Sequence, residues 1–245
     1  MYGQFFILFG LILVGYYCNK KGYLPLETNK NVGHIVMRVT IPAMLITTIA
    51  SIEITDRVLR AFLLSAAGQI AMMVVFGFLM RQYGRKRGLD SRLLPMLDLT
   101  AGSLNTGFIG LPVTMIFFGQ AGIIYMSAGV LALNLYLWSY GVYLISDKKA
   151  TGAAAIGKSF LQGAINPNCI SILLGLLLAV THTARFVPTV VLGFLTKVGD
   201  LSTPLSLIYI GALAGGSGIV QLFKEKMALE ISVVKMIGMP ALAIL

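Results

Sequence analysis

Between residues 104 and 113 the chain reads LNTGFIGLPV. Asn105, Thr106, Gly107, Gly110 and Pro112 fall close together there, and these residue types open a helix rather than extend it. Pro112 has no backbone N–H to donate, and its ring crowds the carbonyl of Phe108. Gly107 and Gly110 relieve the backbone beside it. The pattern predicts a helix broken in two, with free carbonyls on one side of the break and free amides on the other. The amide end of a half-helix carries partial positive charge and attracts anions. Asn105 adds a side-chain donor and acceptor, and Thr106 adds a hydroxyl. Together these groups could hold a carboxylate without a permanent positive charge. The plainer alternative is a proline kink whose Gly-x-x-Gly face only lets helices pack closely.

Other groups could join that chemistry. Arg38, four residues before Pro42, could partner an organic anion or snorkel to the lipid headgroups. Asp98 enters the same span as Asn105 and could bind a proton or sodium during coupling, or sit at a solvated helix end. Lys197 and Asp200 are three apart and can pair on one helix face; Asp200 is a second coupling candidate. Pro42 and Pro204 are the expected hinges. His34 reads as interfacial, and Lys235 could face a cavity. Cys18 and Cys169 read as free thiols, and two histidines with two distant cysteines offer no metal-ligand spacing. No cofactor is expected beyond a coupling H+ or Na+. The GKS at Gly157 lacks the upstream glycine of a phosphate-binding loop. No serine, histidine and acid share a plausible depth, so an intramembrane enzyme is the weaker reading.

The elements that carry these groups are membrane helices. Of the 245 residues, 57% are hydrophobic and 11% charged, where a soluble domain carries about 25% charged residues. The mean hydropathy is +0.86. A helix needs about 20 apolar residues to cross the hydrocarbon core, and eight candidate spans follow. They cover residues 1–19, 32–51, 61–80, two spans back to back within 99–146 and hinged at Gly119 to Gly122, then 159–184, 187–215, and one starting near Ala228. The net charge of +10 does not point to nucleic acid, because Lys and Arg sit in short blocks between apolar runs. Loops after the odd spans hold thirteen Lys and Arg, and those after the even spans hold three. Cytoplasmic loops carry that excess. A multi-pass protein of the cell (plasma or inner) membrane is expected, with its amino terminus outside and odd loops cytoplasmic.

The prolines suggest a repeat. GLILVG from Gly10, then Pro25, then TIPAMLI around Pro42 rhyme with GLLLAV from Gly175, then Pro188, then STPLSLI around Pro204. If spans one and six correspond, each copy has five spans and the copies are inverted, as in many secondary transporters. The expected organisation is residues 1–147 as a first five-helix repeat and 148–245 as a partial second repeat of spans six to eight. On that count the chain reads as truncated at its carboxy terminus.

NTGFIGLP resembles the span-four motif of the auxin efflux carrier family, which includes plant auxin exporters and bacterial malate and other organic-acid permeases. LSTPLSLIYIGALA from Leu201 resembles that family's span seven. NPNCISILLGLLLAV from Asn166 resembles its span six, with Asn168 where the family usually has a second proline. The resemblance covers essentially the whole chain. It implies ten spans in two inverted repeats, an all-α membrane fold, and a substrate site where broken helices four and nine cross. Asn105 would contact the substrate, and Pro112 would mark the crossover. The implied function is a secondary active transporter for small organic anions such as malate, working by alternating access in the lipid bilayer, and the protein could pair as a homodimer. A non-transporting fragment of such a carrier is the alternative.

Overall fold

The computed structural model describes residues 2–145, 165–216 and 226–244, and the regular structure in them is entirely helical. Among the described residues, the main helices are α1 (Tyr2–Lys20), α2 (Leu26–Ala50), α3 (Asp56–Lys86), α4 (Leu94–Gly102), α5 (Leu111–Tyr136), α6 (Pro167–Val180), α7 (Thr189–Asp200), α8 (Ser202–Gly216) and α9 (Lys226–Ile244). Among the described residues, four helical runs are long and apolar enough to cross a membrane: Leu26–Ala50, Asp56–Lys86, Leu94–Leu144 and Thr189–Gly216. The protein is an all-α membrane protein. The expected repeat boundary at 147/148 and the start of span six at Ser159 lie outside the described residues.

Several helices run beyond their apolar stretches. α2 begins at Leu26, six residues before the expected span, because Pro25 at its N-cap position starts it early. α3 opens with Asp56 and closes with Arg85 and Lys86, charges that suit the two ends of a helix dipole.

The run Leu94–Leu144 has 51 residues. As one straight helix it would be about 75 Å long, more than twice the thickness of a bilayer core. It turns back at Gly119, whose φ of 62° and ψ of −156° are open to glycine and almost nothing else. Side chains on either side of the turn meet: a Cβ at Gly122 would touch Thr114, and one at Gly110 would touch the sulfur of Met126. Residues sixteen apart on a straight helix would be about 24 Å apart. The expected hinge at Gly119 to Gly122 is therefore present.

Two prolines are accommodated in the same way. A five-residue π turn, Val36–Thr40, precedes Ile41 and Pro42, and another, Thr106–Gly110, precedes Leu111 and Pro112. In each, the residue before the proline donates five back, Ile41 to Val36 and Leu111 to Thr106. The wider turn moves the carbonyl four residues before the proline, Arg38 or Phe108, away from the ring that would strike it. Pro204 falls in the first turn of α8, where its missing N–H leaves no bond unmade. The interruption nearby is at Leu201, between α7 and α8.

The chain divides into two compact units, Met1–Leu63 with Asn105–Val130 and Pro167–Ile219, and Leu64–Leu104 with Leu131–Asn166 and Val220–Leu245. In the first unit, small residues let backbones touch. A Cβ at Gly15 would strike the Ile208 carbonyl, one at Gly211 the Ile12 carbonyl, and one at Gly199 the backbone of Met44. Gly175 of α6 lies likewise against Ile49 and Leu45 of α2. Such contact is how membrane helices associate without a hydrophobic drive between them. The second unit packs Phe76 and Met80 of α3 with Leu97 and Ala101 of α4 and Met239 of α9. Met73, Ala132 and Tyr136 form a second buried patch there.

Candidate functional site

The helix carrying the NTGFIGLP motif is interrupted at residues 103–105, seven or more positions before Pro112. α4 ends at Gly102. Ser103 leaves the helix with φ −68° and ψ 138°, and Asn105 has φ −86° and ψ 70°. The expectation that Pro112 itself opens the helix gives way to a different cause. Asn105 is an N-cap: its Oδ1 accepts the N–H of Phe108 at 3.2 Å. Ser and Asn compete with the helix for backbone bonds and favour such ends. The stop at Gly102 followed by a cap at Asn105 is a readable helix-boundary signal, and it outranks the proline, which the π turn absorbs.

On the amide side, Asn105 spends its oxygen on the cap. Its Nδ2 is left as a donor and has no partner among the described residues. The first-turn amides other than that of Phe108 have no acceptor within a helix. Thr106 is buried, and its hydroxyl is unpartnered. Gly107 and Gly110 bring this turn against Met37 and Met126, respectively. The Phe108 ring stacks on Tyr209 of α8, with centroids 4.6 Å apart. Pro112 is buried one turn further on.

The carbonyl side has a partner the sequence did not reveal. Lys235 of α9 donates from Nζ to the Thr100 carbonyl at 2.9 Å and the Ser103 carbonyl at 2.6 Å. A cation at a helix C-terminus meets both the orphan carbonyls and the negative dipole end. The break therefore does hold a permanent positive charge, at its carbonyl end. The only sequence signal was a lone lysine in an apolar span.

Asp98 is fully buried, so the solvated-helix-end reading is corrected. Its Oδ2 accepts the Tyr140 hydroxyl at 3.1 Å and lies 3.8 Å from Nη1 of Arg81. Its Oδ1 has no partner, and neither do the Tyr136 hydroxyl and Nε of Arg81. Gly77 of α3 makes the room: a Cβ there would strike Asp98 Oδ1, the Asp98 carbonyl and the Tyr136 hydroxyl.

The remaining candidates are dispersed. Arg38 is exposed on its π turn, and His34 is exposed one turn before it. Asp200 lines a cavity of about 400 Å³ within the first unit, together with Thr47, Thr48, Gln120, Thr196 and Thr203. Met44, two residues after Pro42, and Thr203, just before Pro204, place both expected hinges beside it. The cavity wall is rich in hydroxyls, and hydroxyls can both donate and accept.

The whole of residues 1–245 matches the family described as membrane transport protein. A relative described as an uncharacterized transporter, from Methanothermobacter thermautotrophicus, is 26% identical over 204 residues, covering 82% of this chain and 64% of the relative. The chain thus spans a little under two thirds of that relative's length.

Proposed function

The chain belongs to the membrane transport protein family, the auxin efflux carriers, and on that premise we propose that it serves a secondary carrier of small organic anions. Mono- and dicarboxylates such as malate are the substrates, and the carrier works by alternating access between inverted repeats in the cell membrane. The observation that carries this reading is the helix start at Thr106. There Asn105 turns its oxygen inward as a cap and leaves its NH2 group as a donor. A carboxylate is acceptor-only when ionised, and it matches an amide donor beside uncapped first-turn N–H groups. Backbone opened at membrane depth is tolerated where it lines a watery cavity or packs in protein.

The pairing of helices in the first unit supports the repeat. α1 packs on α8, and α6 packs on α2. Under the expected correspondence of span one with span six and span two with span seven, these two contacts exchange. Equivalent contacts in inverted repeats suit a carrier that opens first to one side and then the other.

Counterflow of radiolabelled malate in proteoliposomes tests the substrate class. Wild-type protein exchanges malate, and Asn105→Ala loses exchange while remaining folded by size-exclusion chromatography. No exchange of malate by the wild type removes malate, and failure across a panel of mono- and dicarboxylates removes the anion reading.

A further inference from the structure

The Asp98 cluster belongs to the second unit, whereas the opened helix start at Thr106 belongs to the first. The cluster gathers a carboxylate with no solvent exposure, a guanidinium at 3.8 Å and two tyrosine hydroxyls inside a membrane-spanning run. An ionised carboxylate in such a place is costly unless every oxygen is met. One oxygen is met here by Tyr140, while Oδ1 is met by nothing. Across the notch at Gly77, the Tyr136 hydroxyl is also buried and also unmet. The two form no hydrogen bond, although a tyrosine O–H could donate to an ionised Oδ1, so the charge on Oδ1 goes unmet and a proton there would remove it.

We propose that Asp98 is the proton-binding site of the transport cycle, neutral when Oδ1 carries the proton and held by Arg81 when ionised. The proposal rests on the transporter reading and adds its coupling ion. The proton adds to Oδ1 and leaves from it, and no other bond is made or broken. Arg81 is placed for the second state. At 3.8 Å it stands just short of a close hydrogen-bonded pair, a third of its side chain is exposed, and its Nε is unpartnered. Loss of the proton draws the guanidinium in to a charge-assisted, two-pronged contact. Gain of the proton releases it. That exchange moves α3, which carries Arg81, relative to α4, which carries Asp98.

A metal cation suits the notch less well. Bound at Oδ1, it would place a second full positive charge beside Arg81. The surrounding titratable groups are Arg81 from α3, Tyr136, Tyr140 and Tyr143 from the end of α5 and its continuation, and Lys235 from α9. Lys235 is committed to the Thr100 and Ser103 carbonyls. Ionisable groups inside membrane spans are commonly proton relays.

Two measurements on the purified chain in lipid vesicles test this. The first is infrared difference spectroscopy with pH steps and no substrate. Wild-type protein gives a protonated-carboxyl C=O band that titrates, Asp98→Asn lacks it, and Tyr140→Phe shifts its frequency by removing the hydroxyl that donates to Oδ2. The second is malate uptake driven by a pH gradient beside malate exchange without one. Asp98→Asn loses the response of uptake to the gradient. Absence of a titrating band that depends on Asp98 overturns the proposal, and so does a band that is present while gradient-driven uptake survives Asp98→Asn. If the wild type moves no malate, the substrate reading fails by itself, and the infrared arm still decides whether Asp98 takes up a proton. Tyr140→Phe leaves the carboxylate intact, so a folding defect in Asp98→Asn does not stop the test.

Discussion

Nζ of Lys235 lies 2.6 Å from the carbonyl oxygen of Ser103, the residue just past the end of α4 and 132 residues earlier in the chain. The same ammonium reaches the Thr100 carbonyl. One lysine thus closes the carbonyl end of the interrupted helix, where the bilayer supplies no water to do so.

Replacement of Lys235 by Met keeps the apolar stem and removes the cap. Two carbonyls then lose a charged donor, and stability falls by about 2 kcal/mol. Lys235→Arg retains most of it. Thermal melting in detergent reads the difference, and a Met variant as stable as wild type would show that the contact contributes nothing.

At Asn105, cap and donor can be separated. Asn105→Asp keeps an oxygen for the Phe108 N–H but has no NH2 group and adds negative charge. Its melting temperature stays near wild type while anion exchange is lost. Asn105→Ala loses the cap as well, at about 1 kcal/mol. Undiminished exchange by the Asp variant would place the anion elsewhere.

Gly119 has open space where a Cβ would go, so only its backbone angles resist substitution. Gly119→Ala therefore reports backbone strain alone, a loss of about 1–3 kcal/mol. A melting temperature equal to wild type would mean that the turn readjusts and the hairpin does not depend on this conformation.

Gly211 is the opposite case. Its φ is ordinary, but a Cβ would strike the Ile12 carbonyl, which cannot rotate away. Gly211→Ala costs about 1–3 kcal/mol through displaced helices. Gly193 of α7 has nothing within reach, and Gly193→Ala stabilises by up to about 1 kcal/mol through helix propensity. Equal melting temperatures for the two variants would refute close packing of α1 on α8.

Much of the architecture was legible without coordinates. Long uncharged runs bounded by basic blocks can be satisfied only by membrane helices, and 48 uncharged residues are too many for one. The turn at Gly119 followed from that length and from the glycines available to make it. An interruption near Asn105 was also readable, because Gly, Ser, Asn and Thr cluster there. Its place was misjudged, since the proline was given more weight than the cap. A proline's clash depends on the turn before it, and the π turns ahead of Pro42 and Pro112 remove that clash.

The sequence by itself determined the class of the protein, the long apolar runs and the stretch within which the backbone opens, because hydropathy and helix-end chemistry are local properties. Only the tertiary structure decided how the opened ends and buried charges are satisfied. It put Lys235 on the Thr100 and Ser103 carbonyls, and it enclosed Asp98 with Arg81, Tyr136 and Tyr140 around Gly77. Those partners come from helices far apart in the chain. In a membrane interior, the cost of an unmet polar group depends on which helix packs beside it, and no local pattern of residues records that.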